Sequence, residues 1–254
     1  MGRMTLDKMP HSGPSWGGLY PAPPHFYRNT KNLILSYEVD PELVLDQLPE
    51  GVEPLNDHPR MVLWFQKSPF STFGPHEAAY GYLECSFEGK AYMMETFLWV
   101  SSESAMAAGR EFWGDSKKMG KVELDFVKEE VVASLERPEG SKIAGARMRL
   151  ERFAEASELP AYPGLCLKYI PSAEKGKGPE VLQLVEDDFD GGPIVGTDGR
   201  AEIYAGSATV EFGPEGVLDP IASFKPLGPI SAIYTEMNFE LDYGTIVKDY
   251  NTPA

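Results

Sequence analysis

The chain is poor in the residues that build several familiar kinds of site. Its 254 residues hold two cysteines, Cys85 and Cys166, far apart in sequence, so a disulfide framework is not expected. The four histidines, His11, His25, His58 and His76, show no paired spacing near cysteine, which argues against a zinc site. Positive charge is also scarce: 23 Lys and Arg face 39 Asp and Glu, for a formal net charge of −16. That balance disfavours nucleic acid and anionic membrane as partners, because both need a basic surface. No apolar run approaches the ~20 residues of a membrane helix, and the opening MGRMTLDKMPHSGPSWGG has no stretch of signal-peptide length. A cytoplasmic protein is the expectation. There is no G-x-G-x-x-G after a strand, no P-loop and no G-x-S-x-G elbow. The acidic run from Glu186 to Gly191 begins like a calcium loop, but Thr197 stands where the twelfth position requires glutamate.

Turn formers, in contrast, are plentiful, with 25 Gly and 22 Pro, so many turns and few long helices are expected. Residues 1–24 read as an irregular arm, with Trp16 and Tyr20 as packing residues. Strand patterns follow over Leu33–Val39, Met61–Phe65, Tyr80–Phe87, Tyr92–Val100, Val122–Val127, Val131–Leu135, Ile143–Phe153, Leu165–Ile170, Val181–Val185, Ala201–Phe212 and Ile230–Tyr243. Ser86-Phe-Glu-Gly-Lys90 reads as a hairpin turn. A short helix is expected over Pro41–Leu48 and a clear one over Ser102–Trp113, with a serine cap, a first-turn glutamate, an alanine-rich centre and Gly114 to stop it. No repeat or linker divides the chain. The pattern is mostly β (α+β) in a single domain, residues 25–254.

The segment Gly114-Asp-Ser-Lys117-Lys118-Met-Gly120 carries the chemistry. A Lys-Lys pair is ordinarily a solvated surface pair, but this one follows a helix stop and lies between apolar segments, flanked by Trp113 and Met119. Gly109-Arg110-Glu111, five residues, then Lys117-Lys118-Met119-Gly120 resembles the active-site segment of the acetoacetate decarboxylase family. Glu103–Ala108 resembles that family's preceding helix. Asn32–Asp40 with the Leu48-Pro-Glu-Gly turn resembles its first strand and helix, and Leu165–Pro171 a later strand. The likeness covers nearly all of the chain beyond the arm.

The resemblance implies an antiparallel β core of barrel or cone-like shape, a homo-oligomer, and no metal or organic cofactor. It implies that Lys117 condenses with the carbonyl of a small-molecule oxo acid, with Lys118 as its cationic neighbour. Activation of such a lysine by desolvation or a nearby cation is the established mechanism of this very family. Glu77, in Gly74-Pro-His-Glu77, matches the family's active-site glutamate if one residue is inserted before the next strand, and Glu84 is an alternative. The family's substrate-holding arginine falls on Thr30 in an ungapped match and on Arg28 with a shift of two. Trp113 and Met119 are candidate walls of the substrate site, and Arg110 and Glu111 a supporting ion pair. Ser116 stands where the decarboxylases carry proline. Decarboxylation of a β-oxo acid is the leading expectation. A pyruvate-dependent aldolase-dehydratase using the same imine and a non-catalytic binding protein are the alternatives.

A lysine of ordinary pKa is only about 0.04% neutral at pH 7. Burial is therefore expected to push the Lys117 amine downward, against an acidic protein that favours the ammonium. If the segment is extended, Lys118 points away from Lys117 and desolvation matters more than the neighbouring charge.

Overall fold

The computed structural model describes residues 2–160, 162–187 and 189–252. Asp188, in the acidic run, lies outside them, as do the first residue of the expected arm and the last two of the expected domain. In chain order the strands are β1 (His25–Glu38), β2 (Val52–Pro54), β3 (Arg60–Ser68), β4 (Phe70–Ser71), β5 (His76–Phe87), β6 (Lys90–Val100), β7 (Lys117–Met119), β8 (Lys121–Val127), β9 (Glu130–Glu136), β10 (Lys142–Arg149), β11 (Arg152–Phe153), β12 (Gly164–Ile170), β13 (Val181–Asp187), β14 (Phe189–Pro193), β15 (Ile203–Gly206), β16 (Ala208–Phe212), β17 (Ser231–Leu241) and β18 (Thr245–Asp249). The helices are α1 (Pro41–Leu45) and α2 (Glu103–Phe112).

The fold is mostly β, as the residue pattern implies. One sheet has 14 strands, with the path β11-β15-β17-β1-β3-β5-β6-β12-β13-β18, and a smaller sheet has the order β16-β10-β9-β8. The ends of the long path do not pair with each other, so the sheet is open where a barrel would close. No helix among the described residues is long and apolar enough to cross a membrane.

Side-chain alternation sorts the two faces of the large sheet. Leu33, Leu35 and Tyr37 of β1, Met61, Leu63 and Phe65 of β3, and Ala79 and Leu83 of β5 turn one way. They pack against Val122, Leu124, Val131, Leu135 and Met148 of the small sheet, forming the main core. Their neighbours Ile34, Val62, Trp64, Tyr80 and Tyr82 turn the other way, onto a second cluster with Met237 and Phe189. A cavity lined by Trp64, Tyr80, Tyr82 and Met237 opens on this second face.

Local chemistry fixes the connections. Phe87 pairs with Lys90 across Glu88 and Gly89, whose φ values of 50° and 80° are those of a two-residue hairpin turn. The long run Ala201–Phe212 divides at Ser207 into β15 and β16, which join different sheets. Five short or weakly patterned strands, β2, β4, β7, β14 and β18, are not signalled by the residue pattern. In the arm, Tyr20 is buried and donates a hydrogen bond to Glu111, whereas Trp16 is 92% exposed and packs on nothing substantial.

His25, at the start of β1, is fully buried against Phe73, Phe112 and Trp113. Burial, reinforced by the Lys117 ammonium and partly offset by Asp242, lowers its pKa to about 4. The unfolded chain protonates this histidine near pH 6.5, so between about pH 6.5 and 4 it binds a proton that the folded chain does not. Stability is therefore lost as pH falls through that window, by up to about 3 kcal/mol from this residue. In urea titrations across that pH range, His25→Phe is expected to lose less stability than the parent. Parallel curves would count against this assignment.

Candidate active site

Helix α2 sets the position of the lysine segment. Ser102 caps it, accepting a hydrogen bond from the Ala105 N–H at 3.3 Å. At the other end the N–H groups of Trp113, Gly114 and Asp115 all donate to the Gly109 carbonyl, at 3.1, 2.9 and 3.1 Å. Gly114 has φ +88°, and a Cβ there would lie 2.2 Å from the Lys168 Cα, so only glycine fits this stop. The chain then enters β7, parallel to β6, with Lys117 opposite Leu98 and Lys118 opposite Trp99.

Because β7 is extended, its two lysines face opposite ways. Lys117 turns to the cavity face and is 8% exposed. Lys118 turns to the other side, where its ammonium meets Asp219 at 3.1 Å and the Leu218 carbonyl. Asp219 also accepts from the Trp99 indole and from Arg137, so Lys118 belongs to a separate ionic cluster.

The Lys117 amine borders a cavity with aromatic walls, made by Tyr27, Trp64, Tyr80, Tyr82, Phe189 and Phe239. Met237 and Leu241 add aliphatic surface, and Gln66, Glu95, Asp115 and Asp187 are the polar groups. Lys117 is the sole cationic side chain among these lining residues. Its Nζ lies 2.6 Å from Asp115 Oδ2, and Asp115 is itself buried. Gly109 makes room for this pair: a Cβ there would stand 2.3 Å from both Asp115 Oδ2 and Lys117 Nζ. The Cys166 thiol donates to the second Asp115 oxygen at 3.5 Å.

Glu95 reaches the cavity through an irregularity in the sheet. Gly81 pairs with Phe97 and Tyr82 with Glu95, so Thr96 is an extra residue in β6. Without it, Glu95 would share the core-facing side of Phe97 and Trp99; the bulge reverses it. One Glu95 oxygen accepts from the Ser116 N–H at 2.7 Å and from the Ser116 hydroxyl at 3.1 Å. Burial above all, and then Asp115, pushes the Glu95 carboxyl well above the usual range, while Lys117 and the Ser116 N–H oppose this.

Lys117 does not follow the expectation that burial wins. Burial is the largest influence and does push its pKa down. Asp115, followed by Tyr27, Tyr80 and Glu95, pushes the other way, and together they hold the ammonium above its ordinary range. Glu95, Asp115 and Cys166 also present donor atoms within 4.8 Å of one another, a spacing compatible with a metal ion. Both Asp115 oxygens are already engaged, however, and a metal cation there would meet the Lys117 ammonium.

Of the residues singled out in the sequence, the structure brings Lys117 to the cavity and places the others elsewhere. Glu77, partly exposed, accepts from the Ser101 hydroxyl at 3.2 Å. Glu84 shares a different depression with Arg60 and Tyr162. Arg28 pairs with Glu240 at 3.3 Å on the surface, and Thr30 is buried, donating to the Met237 carbonyl. Trp113 is buried behind the site, its indole donating to the Asp242 carbonyl, and Met119 is 39% exposed. Arg110 donates to the Lys117 carbonyl at 3.2 Å and Glu111 accepts from Tyr20; neither enters an ion pair among the described residues. The residue pattern alone does not single out Asp115, Glu95, Gln66 or Asp187. For Glu95 a signal is present: it is an ionisable residue inside the apolar run Tyr92–Val100.

The family profile described as acetoacetate decarboxylase (ADC) matches residues 8–251, and the chain belongs to that family. An acetoacetate decarboxylase of Chromobacterium violaceum is 28% identical over 254 residues, covering 98% of this chain and 96% of that protein. The crystal structure of an acetoacetate decarboxylase from Legionella pneumophila superposes with a TM-score of 0.86 at 24% identity, covering 99% of this chain and 100% of that one. The enduracididine biosynthesis enzyme MppR, solved with pyruvate, shares the fold with a TM-score of 0.77 at 19% identity, covering 96% and 99% of the two chains.

Gly109→Ala is the sharpest test of the packing around Lys117. In an ordinary helix this change stabilises by roughly 0.5–1 kcal/mol. Here the added methyl must displace Lys117 and Asp115, so the variant is expected to lose stability and to lower the yield of any covalent adduct at Lys117, read by thermal melting and by peptide mass. A variant that melts higher and reacts normally would contradict the geometry.

Proposed function

We propose that this protein is a Schiff-base-forming lyase acting on a small oxo acid through Lys117, and that its reaction is decarboxylation of a β-oxo acid. The observation that carries this reading is the placement of the Lys117 amine, 8% exposed, on a cavity walled by aromatic side chains. Membership of the acetoacetate decarboxylase family supports it.

In this reading the neutral amine adds to the substrate carbonyl, and the carbinolamine loses water to give a protonated imine. The bond between the α-carbon and the carboxylate breaks, carbon dioxide leaves, and its electron pair flows into the imine to form an enamine. Protonation of the enamine carbon gives the product imine, and water releases the ketone and the free amine. The aromatic walls strip water from the carboxylate, which favours its loss as a neutral gas. Glu95, whose carboxyl holds its proton above the usual range, supplies a proton donor on the cavity side and takes the part that the resemblance gives to Glu77.

A second reading uses the same imine to condense pyruvate with an aldehyde and eliminate water. It is favoured by the polar groups Gln66 and Glu95 in the cavity, which can hold a second, aldehyde substrate. MppR, which has also been solved with the condensation product of pyruvate and imidazole 4-carboxaldehyde, gives this reading a structural parallel.

Two assays separate the readings. Release of carbon dioxide from acetoacetate is expected, whereas a new enone absorbance from pyruvate plus an aromatic aldehyde, without decarboxylation, would replace the first reading by the second. In either case borohydride with the oxo acid is expected to add mass at Lys117. Lys117→Arg, which keeps a cation beside Asp115 but offers no condensing amine, is expected to abolish both turnover and trapping. No adduct at Lys117 with a broad panel of oxo acids would favour a binding protein that does no chemistry.

A further inference from the structure

Lys117 must lose a proton before it can attack, and the imine it forms must be protonated to act as an electron sink. Both events occur at one nitrogen, on a residue only 8% exposed, so a base has to stand beside it. Two other carboxylates are occupied: Glu77 lies against Ser101, and the Glu95 oxygen facing the lysine segment is held by Ser116. Asp115 alone among the described residues is in ion-pair contact with Lys117 Nζ, at 2.6 Å. Its placement is fixed from three sides: the Gly109 carbonyl takes its N–H, the Cys166 thiol donates to its other oxygen, and the bare Cα of Gly109 leaves the gap in which the pair fits.

Resting on the imine reading above, we propose that Asp115 is a second catalytic residue: it accepts the proton of the Lys117 ammonium and then serves as counter-ion to the protonated imine. The proton moves from Nζ to Oδ2, leaving a neutral amine beside a neutral carboxylic acid. The amine lone pair attacks the carbonyl carbon, the C=O π pair moves to oxygen, and one N–H proton passes to that oxygen to give the carbinolamine. Asp115 returns its proton to the carbinolamine hydroxyl, which leaves as water, and the positive imine nitrogen now faces the regenerated carboxylate. One oxygen thus carries the proton both ways, and charge in the buried site is never left unpaired.

Asp187 on β13 lines the same cavity, and the other titratable groups that face Lys117 are distributed over the surrounding elements: His25 and Tyr27 on β1, His76 and Tyr80 on β5, and Glu95 on β6. Among the described residues, none of these groups on β1, β5 and β6 enters an ion pair with the amine.

The test is Asp115→Asn, which preserves shape but can neither accept the proton nor carry the balancing charge. Borohydride trapping at Lys117 is followed against pH with pyruvate and with acetoacetate, alongside turnover of acetoacetate. With the carboxylate gone, burial acts against far weaker opposition, and the trapping midpoint is expected to move to lower pH by about two pH units or more. Turnover at the plateau is expected to fall by about 10²–10⁴-fold, the usual contribution of a positioned acid–base group. A merely structural role for Asp115 would not separate these two effects in this way. An Asp115→Asn protein with the parental midpoint and turnover overturns the proposal. Should that variant not fold, the parent protein decides: an alkaline trapping midpoint supports the role, and one below neutrality overturns it. If the parent forms no adduct at any pH, the imine reading itself fails and Asp115 loses its role with it.

Discussion

An ammonium and a carboxylate held 2.6 Å apart, each less than a tenth exposed, are the constraint around which this site is built. Taking two charges out of water costs several kcal/mol each, and only close contact and further hydrogen bonds repay it. The neighbouring features follow from that requirement. A glycine in α2 leaves space for the pair, a glycine with positive φ turns the chain between helix and strand, and a thiol satisfies the second carboxylate oxygen. Losing either member alone would strand the other as an uncompensated buried charge.

The sheet supplies the rest by alternation. Strands β1, β3 and β5 give one set of side chains to the core between the sheets and the next set to the cavity face. A single extra residue at Thr96 switches which face β6 presents, and so carries Glu95 from the core side to the cavity. The same two-residue period in β7 separates Lys117 from Lys118, giving one to the cavity and the other to Asp219. The one cationic side chain lining the cavity of this acidic protein is thus already balanced by a buried carboxylate.

Much of the architecture is legible in the sequence because hydrophobic alternation and turn residues act locally. The helix from Ser102, its stop at Gly114 and the hairpin at Glu88-Gly89 all stand where cap, glycine and turn chemistry put them. The motif also locates Lys117. The rest of the site is less visible, since it depends on side chains brought together across distant strands. From the sequence, Phe65, Phe70, Tyr82, Phe97 and Trp99 could line a pocket but are more often core; the sheet packing puts Phe65, Phe97 and Trp99 in the core, Tyr82 on the cavity and Phe70 at the surface. Glu95 depends on a bulge that alternation cannot foresee. Asp115 stands in the motif itself, two residues before Lys117, yet simple alternation does not reveal that its carboxylate closes on the amine. The direction of the Lys117 pKa escapes the sequence for the same reason: the apolar neighbours show that the amine is buried, but not that a carboxylate is buried with it.

The most direct measurement is a crystal structure of the protein after borohydride reduction in the presence of pyruvate. The account predicts continuous density from the Nζ of Lys117 to a substrate carbon inside the aromatic cavity, with an Asp115 oxygen still within hydrogen-bonding distance of that nitrogen. An unmodified Lys117 in a protein that has gained the substrate's mass elsewhere, or an adduct whose nitrogen faces solvent with Asp115 turned away, would contradict it.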